Sequence, residues 1–395
     1  MKASLLSIMI VMSLSANSQQ KELRWYKGNL HTHSLWSDGD GYPEMIVDWY
    51  RSRGYHFVAL SDHNILAQGE KWVKVPKSKV HEDAFQHYLT MFGDDWVEQK
   101  TDSAGRTLVK LKTYEAYRNR FEHSDFLMLK AEEITDQFEK KPIHINVTNI
   151  QDLIPAQGGN SVLEVMQRNI DAVHSQRIAT GVPMFAHINH PNFYYAISAN
   201  DMIALRGERF FEVYNGHPLV HNEGDSLHPG TEELWDQINI AYRKRGQALM
   251  YGLATDDSHH YHLFGRTYSN AGRGWVMVRS GSLTPESLVQ AMEAGDFYAS
   301  TGVVLEDLKT DKNTLVIDVK EQKGVSYRIE FIRCEASGEI TREVVKGPRA
   351  SRKLKESDLF LRAKVVSSQQ RTNPVNDVEF ETAWIQPIIY RSVQK

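Results

Sequence analysis

A chain of 395 residues exceeds what one small domain needs, and 41% hydrophobic with 24% charged residues is the composition of a folded globular protein. The formal net charge of -4 provides no basic field for a polyanion, which argues against general nucleic-acid binding and favours a small-molecule ligand. The single cysteine, Cys334, cannot form an internal disulfide.

Residues 1–18 read as a signal peptide: Lys2 gives the positive end, Leu5 to Leu14 the apolar stretch, and Ala16-Asn17-Ser18 a small-residue cleavage site, with the cut after Ser18. The apolar stretch falls short of the roughly 20 residues a membrane-spanning helix requires. No cysteine follows it to carry a lipid, so the expectation is a periplasmic or secreted protein without a stable membrane anchor.

From about residue 24 to residue 300 short β-branched or aromatic runs alternate with helical segments, the pattern of βα units. An apolar run ending at Leu30 precedes a helix with Pro43 in its first turn and Gly54 just past its end, then the run Phe57 to Leu60. Residues 64–125 are polar and rich in Lys, Glu and aromatics, and are expected to form a helical insertion over one end of the fold. Further strands are predicted at Phe126 to Lys130, Ile143 to Thr148, Met184 to Ile188, Phe210 to Tyr214, Leu249 to Ala254 and Trp275 to Val278. Leu163, Met166, Ile170 and Val173 recur at helical spacing, and Thr284-Pro285 caps and opens a further helix. After Thr301 the helical pattern stops, and residues 301–395 alternate as a small β domain, with strands at Leu315 to Val319, Tyr327 to Ile332 and Leu359 to Val366.

Ionisable residues cluster where these strands end. His31 and His33 flank Thr32, and the two-residue period of a strand turns both imidazoles to one side. Asp38 follows in Ser37-Asp38-Gly39, Asp62 and His63 close the next strand, and Glu132 and Glu133 precede Ile134-Thr135. His144 sits in the following strand, His187 and His190 in Ala186-His187-Ile188-Asn189-His190-Pro191, and Asp256, Asp257 and His259 after the strand at Leu249. Six strand ends bearing metal-ligand residue types are hard to assign to packing, because buried unpaired imidazoles and carboxylates are costly.

The order His-x-His, Ser-Asp-Gly, Ser-Asp-His-Asn, Glu-Ile-Thr, Ile-His-Ile, His-Pro and Asp-x-His resembles the PHP (polymerase and histidinol phosphatase) superfamily over roughly residues 24 to 300. The resemblance implies a distorted (β/α)7 barrel holding three divalent ions on His31, His33, Asp38, His63, Glu133, His144, His190, Asp257 and His259, with Glu133 bridging two of them. Glu133 is preferred to Glu132 for its place before Ile-Thr, and Asp257 to Asp256 for the Asp-x-His spacing. This chain has two histidines where the family shows Ala-His-Pro; His190 is read as the ligand and His187 as its support. The Phe211 to Gly216 block and Ala383 to Pro387 look like the branch that joins such a barrel to a small C-terminal β domain, which includes a carbamate-ester hydrolase and phosphoesterases.

Ions of that kind lower the pKa of bound water enough to present hydroxide and neutralise charge on a phosphoryl or carbonyl oxygen. Imidazole and carboxylate together suit zinc, manganese or iron. Asp257 is then the candidate proton acceptor, Asp62 is expected to orient His31 or His33, and Arg266 and Arg273 are candidate phosphate ligands. The leading expectation is a phosphoesterase for a small phosphorylated metabolite or sugar. The alternatives are a carboxylic or carbamate ester hydrolase on the same site and a non-catalytic barrel that binds a ligand.

Overall fold

In the computed structural model, which describes residues 22 to 392, the first strand β1 (Arg24–Asn29) leads to α1 (Pro43–Ser52) and β2 (Phe57–Leu60). The signal peptide read at residues 1–18 lies outside the described residues. Among the described residues no helix is long and apolar enough to cross a membrane. Proline at the start of α1 and the left-handed Gly54 (φ +71°) beyond its end set its limits as the sequence suggests.

The insertion is only partly helical. It contains β3 (Trp72–Lys74), α2 (Lys79–Phe92), β4 (Gln99–Thr101), β5 (Thr107–Lys110) and α3 (Tyr114–Phe121), and its three strands form a separate antiparallel sheet in the order β3-β5-β4. The polar composition hid these strands because their cross-strand partners lie within a sheet that exposes much of its surface. Glu44 of α1 fastens the insertion, accepting hydrogen bonds from Tyr88 Oη at 2.8 Å and Trp96 Nε1 at 2.7 Å.

Beyond it the chain runs through β6 (Leu127–Phe138), β7 (Lys141–Thr148), α4 (Val162–Thr180), β8 (Phe185–Ile188), α5 (Ala199–Ala204) and β9 (Phe210–Asn215). There follow α6 (Thr231–Lys244), β10 (Tyr251–Thr255), β11 (Trp275–Ser280), α7 (Pro285–Glu293) and β12 (Phe297–Ser300). The last strands are β13 (Leu305–Asp311), β14 (Thr314–Val319), β15 (Tyr327–Cys334), β16 (Ile340–Lys346), β17 (Arg349–Lys353), β18 (Phe360–Gln370) and β19 (Phe380–Ile388).

These strands give a mixed α/β fold, but not the closed (β/α)7 barrel expected: thirteen of them form one open sheet, β10-β9-β8-β7-β6-β2-β1-β11-β12-β19-β18-β15-β16. Only Glu139 and Lys140 separate β6 from β7, so the pair is an antiparallel hairpin with no length for the helical crossover a parallel neighbour requires. The distant strands β1 and β10 meet just beyond their C-terminal ends, where His33 N donates to Ser258 O (2.9 Å) and Asp257 N to His31 O (3.0 Å). That junction draws together the segments carrying His31, His33, Asp257 and His259.

The C-terminal strands extend the same sheet, because β19 pairs with β12. A second sheet, β13-β14-β17, faces it across an apolar layer in which Leu305, Leu315 and Ile317 meet Ile329, Phe331 and Val365. Gln386 of β19 accepts from Gly252 N (2.9 Å) and donates to Gly252 O (2.8 Å), satisfying backbone groups of the edge strand β10.

Candidate metal centre

Glu132 and Glu133 are neighbours on β6 and therefore point to opposite faces. Glu132 Oε2 accepts from Ile154 N at 3.0 Å, and burial pushes its carboxyl up to about 7. Glu133 faces the junction of β1 and β10 and has no exposure. Its Oε2 lies 3.4 Å from His31 Nε2, 3.2 Å from His33 Nε2 and 3.0 Å from His63 Nδ1, while Oε1 lies 3.0 Å from His144 Nδ1. Despite these distances, Oε2 has no partner in hydrogen-bond geometry among the described residues. Burying such an oxygen is costly unless something else compensates it.

All nine predicted ligands come together. Donor atoms within 4.8 Å of one another form overlapping groups: His33, Asp38, His63 and His259; His31, His190 and Asp257; His31, His33 and Glu133; His63, Glu133 and His144; and His31, His187 and Glu212, two of whose members lie outside the predicted set. His31 Nε2 and His33 Nε2 are 3.1 Å apart, close to the roughly 3.3 Å separating two nitrogens on one tetrahedral ion. The donor set of imidazoles and carboxylates fits divalent ions, which would be held by these groups.

The electrostatics point the same way. Burial lowers the pKa of His31, but Asp257, Glu212 and Glu133 outweigh it and hold the imidazole well above its ordinary range. His63 is likewise raised to about 11 against its burial, principally by Glu133 and Asp38. The carboxyls of Glu133 and Asp257 are held well below theirs, because the pull of the neighbouring imidazoles exceeds the burial penalty. The cluster is a site for positive charge.

Two predicted ligands occupy left-handed backbone, His190 at φ +23° and Asp257 at φ +50°. Such a conformation is uncommon for residues other than glycine and persists where surrounding bonds enforce it. Glu212 Oε2 accepts from His190 N at 2.8 Å, and His31 O accepts from Asp257 N at 3.0 Å.

Glu212 is the principal residue that the sequence reading did not assign. Fully buried in β9, its Oε1 contacts His31 Nδ1 and accepts from Thr255 Oγ1, each at 2.7 Å, and its Oε2 accepts from Asn215 Nδ2 at 2.8 Å. A carboxylate on His31 Nδ1 favours a proton there and frees Nε2 toward the cluster. The available signal was a charge inside the apolar run Phe211-Glu212-Val213, which needs a buried partner. Asn189 was also missed; its Nδ2 donates to Glu133 Oε1 at 2.7 Å. His187 has Nε2 3.5 Å from Glu212 Oε1 and groups with Glu212 and His31, whereas His190 reaches within 3.6 Å of Glu133 Oε1 and 3.9 Å of Asp257 Oδ2. Glu212→Gln is expected to weaken metal affinity by roughly 10- to 100-fold. A metal titration of the purified variant measures this, and unchanged affinity would remove Glu212 from its supporting role.

Two other expectations, on Asp62 and Arg273, are corrected. Asp62 makes no direct hydrogen bond to His31 or His33: its carboxylate accepts from Ser34 N (2.8 Å), Ser34 Oγ (2.7 Å) and Ser37 Oγ (2.6 Å), fixing the loop that carries Asp38, and it meets His33 only through Ser37, whose Oγ lies 3.5 Å from His33 Nδ1. Arg273 is fully buried and its guanidinium donates to Asn373 O, Gly216 O, Tyr268 O, Gly265 O and Asn373 Oδ1, leaving nothing for a phosphate. Arg266 is half-exposed and paired with Asp377. Asp256, set aside in favour of Asp257, accepts from Gly272 N, Arg273 N, Gly274 N and Tyr50 Oη, away from the cluster.

No family model matches the chain, and no curated protein does. Among solved structures it is similar to a two-domain protein from Bacteroides vulgatus described as containing a predicted PHP-like metal-dependent phosphoesterase, with 14% identity and a TM-score of 0.39 over 92% of this chain and 95% of that one. It is also similar to an amidohydrolase from Chromobacterium violaceum with bound sulfate and no metal, with 13% identity and a TM-score of 0.30 over 59% of this chain and 87% of that one. Likeness at this level carries nothing about chemistry, which rests on the side chains of the cluster.

Proposed function

We propose that the protein is a metal-dependent hydrolase of the PHP type, a phosphoesterase acting on a small phosphorylated metabolite or sugar. The observation that carries this reading is Glu133 Oε2, a buried carboxylate oxygen facing three imidazole nitrogens without a hydrogen bond to any of them. Three ions are proposed, shared among His31, His33, Asp38, His63, Glu133, His144, His190, Asp257 and His259. Bound divalent ions would neutralise charge on the phosphoryl group and acidify an attacking water.

The protein's own residues supply position and proton transfer. Asn189 and Glu212 fix Glu133 and His31. Asp257, held by a 3.1 Å hydrogen bond from Asn215 Nδ2 to its Oδ2, presents Oδ1 to the cluster and is the proposed proton acceptor.

The test begins with metal analysis of protein purified without chelator. Chelation, followed by reconstitution with zinc, manganese or iron, should abolish and then restore hydrolysis in a screen of phosphomonoesters, phosphodiesters and carboxylic esters. Chelator-resistant activity would sink the metal reading. Hydrolysis of carboxylic or carbamate esters alone would replace the phosphoesterase reading with an ester hydrolase on the same residues.

A further inference from the structure

A donor for phosphoryl oxygens would serve a phosphoesterase; of the two arginines that the sequence offered, Arg273 is committed elsewhere and Arg266 is an exposed side chain paired with Asp377. The segment after β9 holds a different candidate. His217 is half-buried, with its ring centroid 5.7 Å from that of His259 and 5.8 Å from that of Phe193, edge-on to both. Phe193 in turn lies 5.0 Å from His190, so His217 borders the metal-binding cluster. It belongs to none of the groups that could hold an ion.

The orientation of the ring is fixed locally. Leu219 N donates to His217 Nδ1 at 3.2 Å, so Nδ1 is an acceptor and the neutral ring carries its proton on Nε2. Nδ1 is turned back to its own chain, which directs Nε2 outward from the 217–219 turn. Among the described residues Nε2 has no hydrogen-bond partner.

The backbone is fixed as well. His217 N donates to Asn215 Oδ1 at 2.8 Å, and Asn215 Nδ2 donates to Glu212 Oε2 and Asp257 Oδ2. Arg273 Nη1 donates to Gly216 O at 2.8 Å, and a Cβ at Gly216 would come within 2.8 Å of both Arg273 Cβ and Asp256 O. The Asn215-Gly216-His217 arm is therefore tied to a predicted ligand at one end and to a buried guanidinium in its middle. A donor held this rigidly loses little freedom on meeting a ligand.

We propose that His217 is the substrate-binding donor of this centre, its Nε2–H hydrogen-bonding a phosphoryl oxygen of the substrate. The inference rests on the phosphoesterase reading and adds to it the group that recognises the anion from the protein side. It also gives Arg273 a purpose: the arginine positions the arm without touching phosphate.

The experiment titrates metal-loaded protein with inorganic phosphate by calorimetry, with metal content and circular dichroism measured on every sample. His217→Ala should bind phosphate roughly 10- to 100-fold more weakly, the range for a hydrogen bond to a charged group, at an unchanged metal content. His217→Gln, which keeps a donor, should recover most of the affinity. His217→Phe keeps a ring between Phe193 and His259 but has no donor, and should match His217→Ala; it carries the comparison should the alanine variant not fold. Wild-type phosphate affinity in both His217→Ala and His217→Phe overturns the proposal and leaves the phosphoesterase reading standing. Loss of metal in all three variants overturns it by making His217 a ligand. Metal-loaded wild type that neither binds phosphate nor hydrolyses any phosphoester overturns both.

Discussion

Glu133→Gln is expected to abolish turnover and strip metal from the protein while leaving its circular dichroism unchanged. The amide keeps the shape of the carboxylate but loses its charge and replaces one acceptor oxygen with a donor, which cannot ligate a cation. Glu133 faces His31, His33, His63 and His144, so the change reaches two overlapping donor groups at once. The cost in turnover should exceed about a thousandfold, beyond the roughly 10- to 100-fold expected for a residue supporting a ligand from behind. Glu132→Gln is the control on the opposite face of the same strand, and it should keep its metal. Elemental analysis and a turnover assay decide the matter, and a full metal complement with normal turnover in Glu133→Gln would refute the centre as described. Loading should also depend on pH. Carboxylate neighbours raise His31 and His63 above the ordinary imidazole range, the latter to about 11, so metal entering the metal-free protein at neutral pH must displace protons. Apparent affinity therefore rises with pH, by up to about tenfold per unit for each proton released.

The second large effect concerns stability. Arg362 of β18 is fully buried and donates to Asp236 of α6 through Nε at 2.6 Å and Nη2 at 2.8 Å. Its Nη1 has no hydrogen-bond partner among the described residues, although Glu232 Oε2 lies 3.7 Å away. Burial disfavours the guanidinium charge, but Asp236 more than offsets that penalty. Asp236→Ala leaves the cation buried without its bidentate partner and should cost about 3–5 kcal/mol, read as a lowered urea midpoint with an unchanged slope. Replacing both residues together, Asp236→Leu with Arg362→Met, removes the charge and its counter-charge and should restore most of the loss. A single-variant cost below about 1 kcal/mol, the scale of an exposed pair, would show that the interaction does not bind α6 to the C-terminal strands.

The predicted ligands were legible from the order of their motifs, which resembles the PHP pattern, and several follow strand ends, although Glu133 and His144 lie inside β6 and β7. For His31-Thr32-His33 the two-residue period of a strand also put both imidazoles on one side. The choice of Glu133 over Glu132 came from motif position, and the strand's alternation places the former in the cluster. Strand alternation after residue 301 was visible in β14 and β15, which bury one face, but not in β16 and β17, which hold no buried residue.

What sequence reading assigned wrongly depends on partners far away along the chain. Arg273 looked like an anion ligand, but its donors are spent on carbonyls reaching as far as Asn373. Glu212 had no visible role until the fold brought it to His31, 181 residues earlier in the chain. A two-residue turn makes β6 and β7 an antiparallel hairpin, and β7–β8, β1–β11 and β11–β12 are antiparallel as well, where the sequence pattern suggested parallel βα units. Motif order and local periodicity singled out the ionisable residues that gather in the cluster. Tertiary structure decided which of them share a donor group and that Arg273 spends its donors on carbonyls, because hydrogen-bond partners follow proximity in space and not order along the chain.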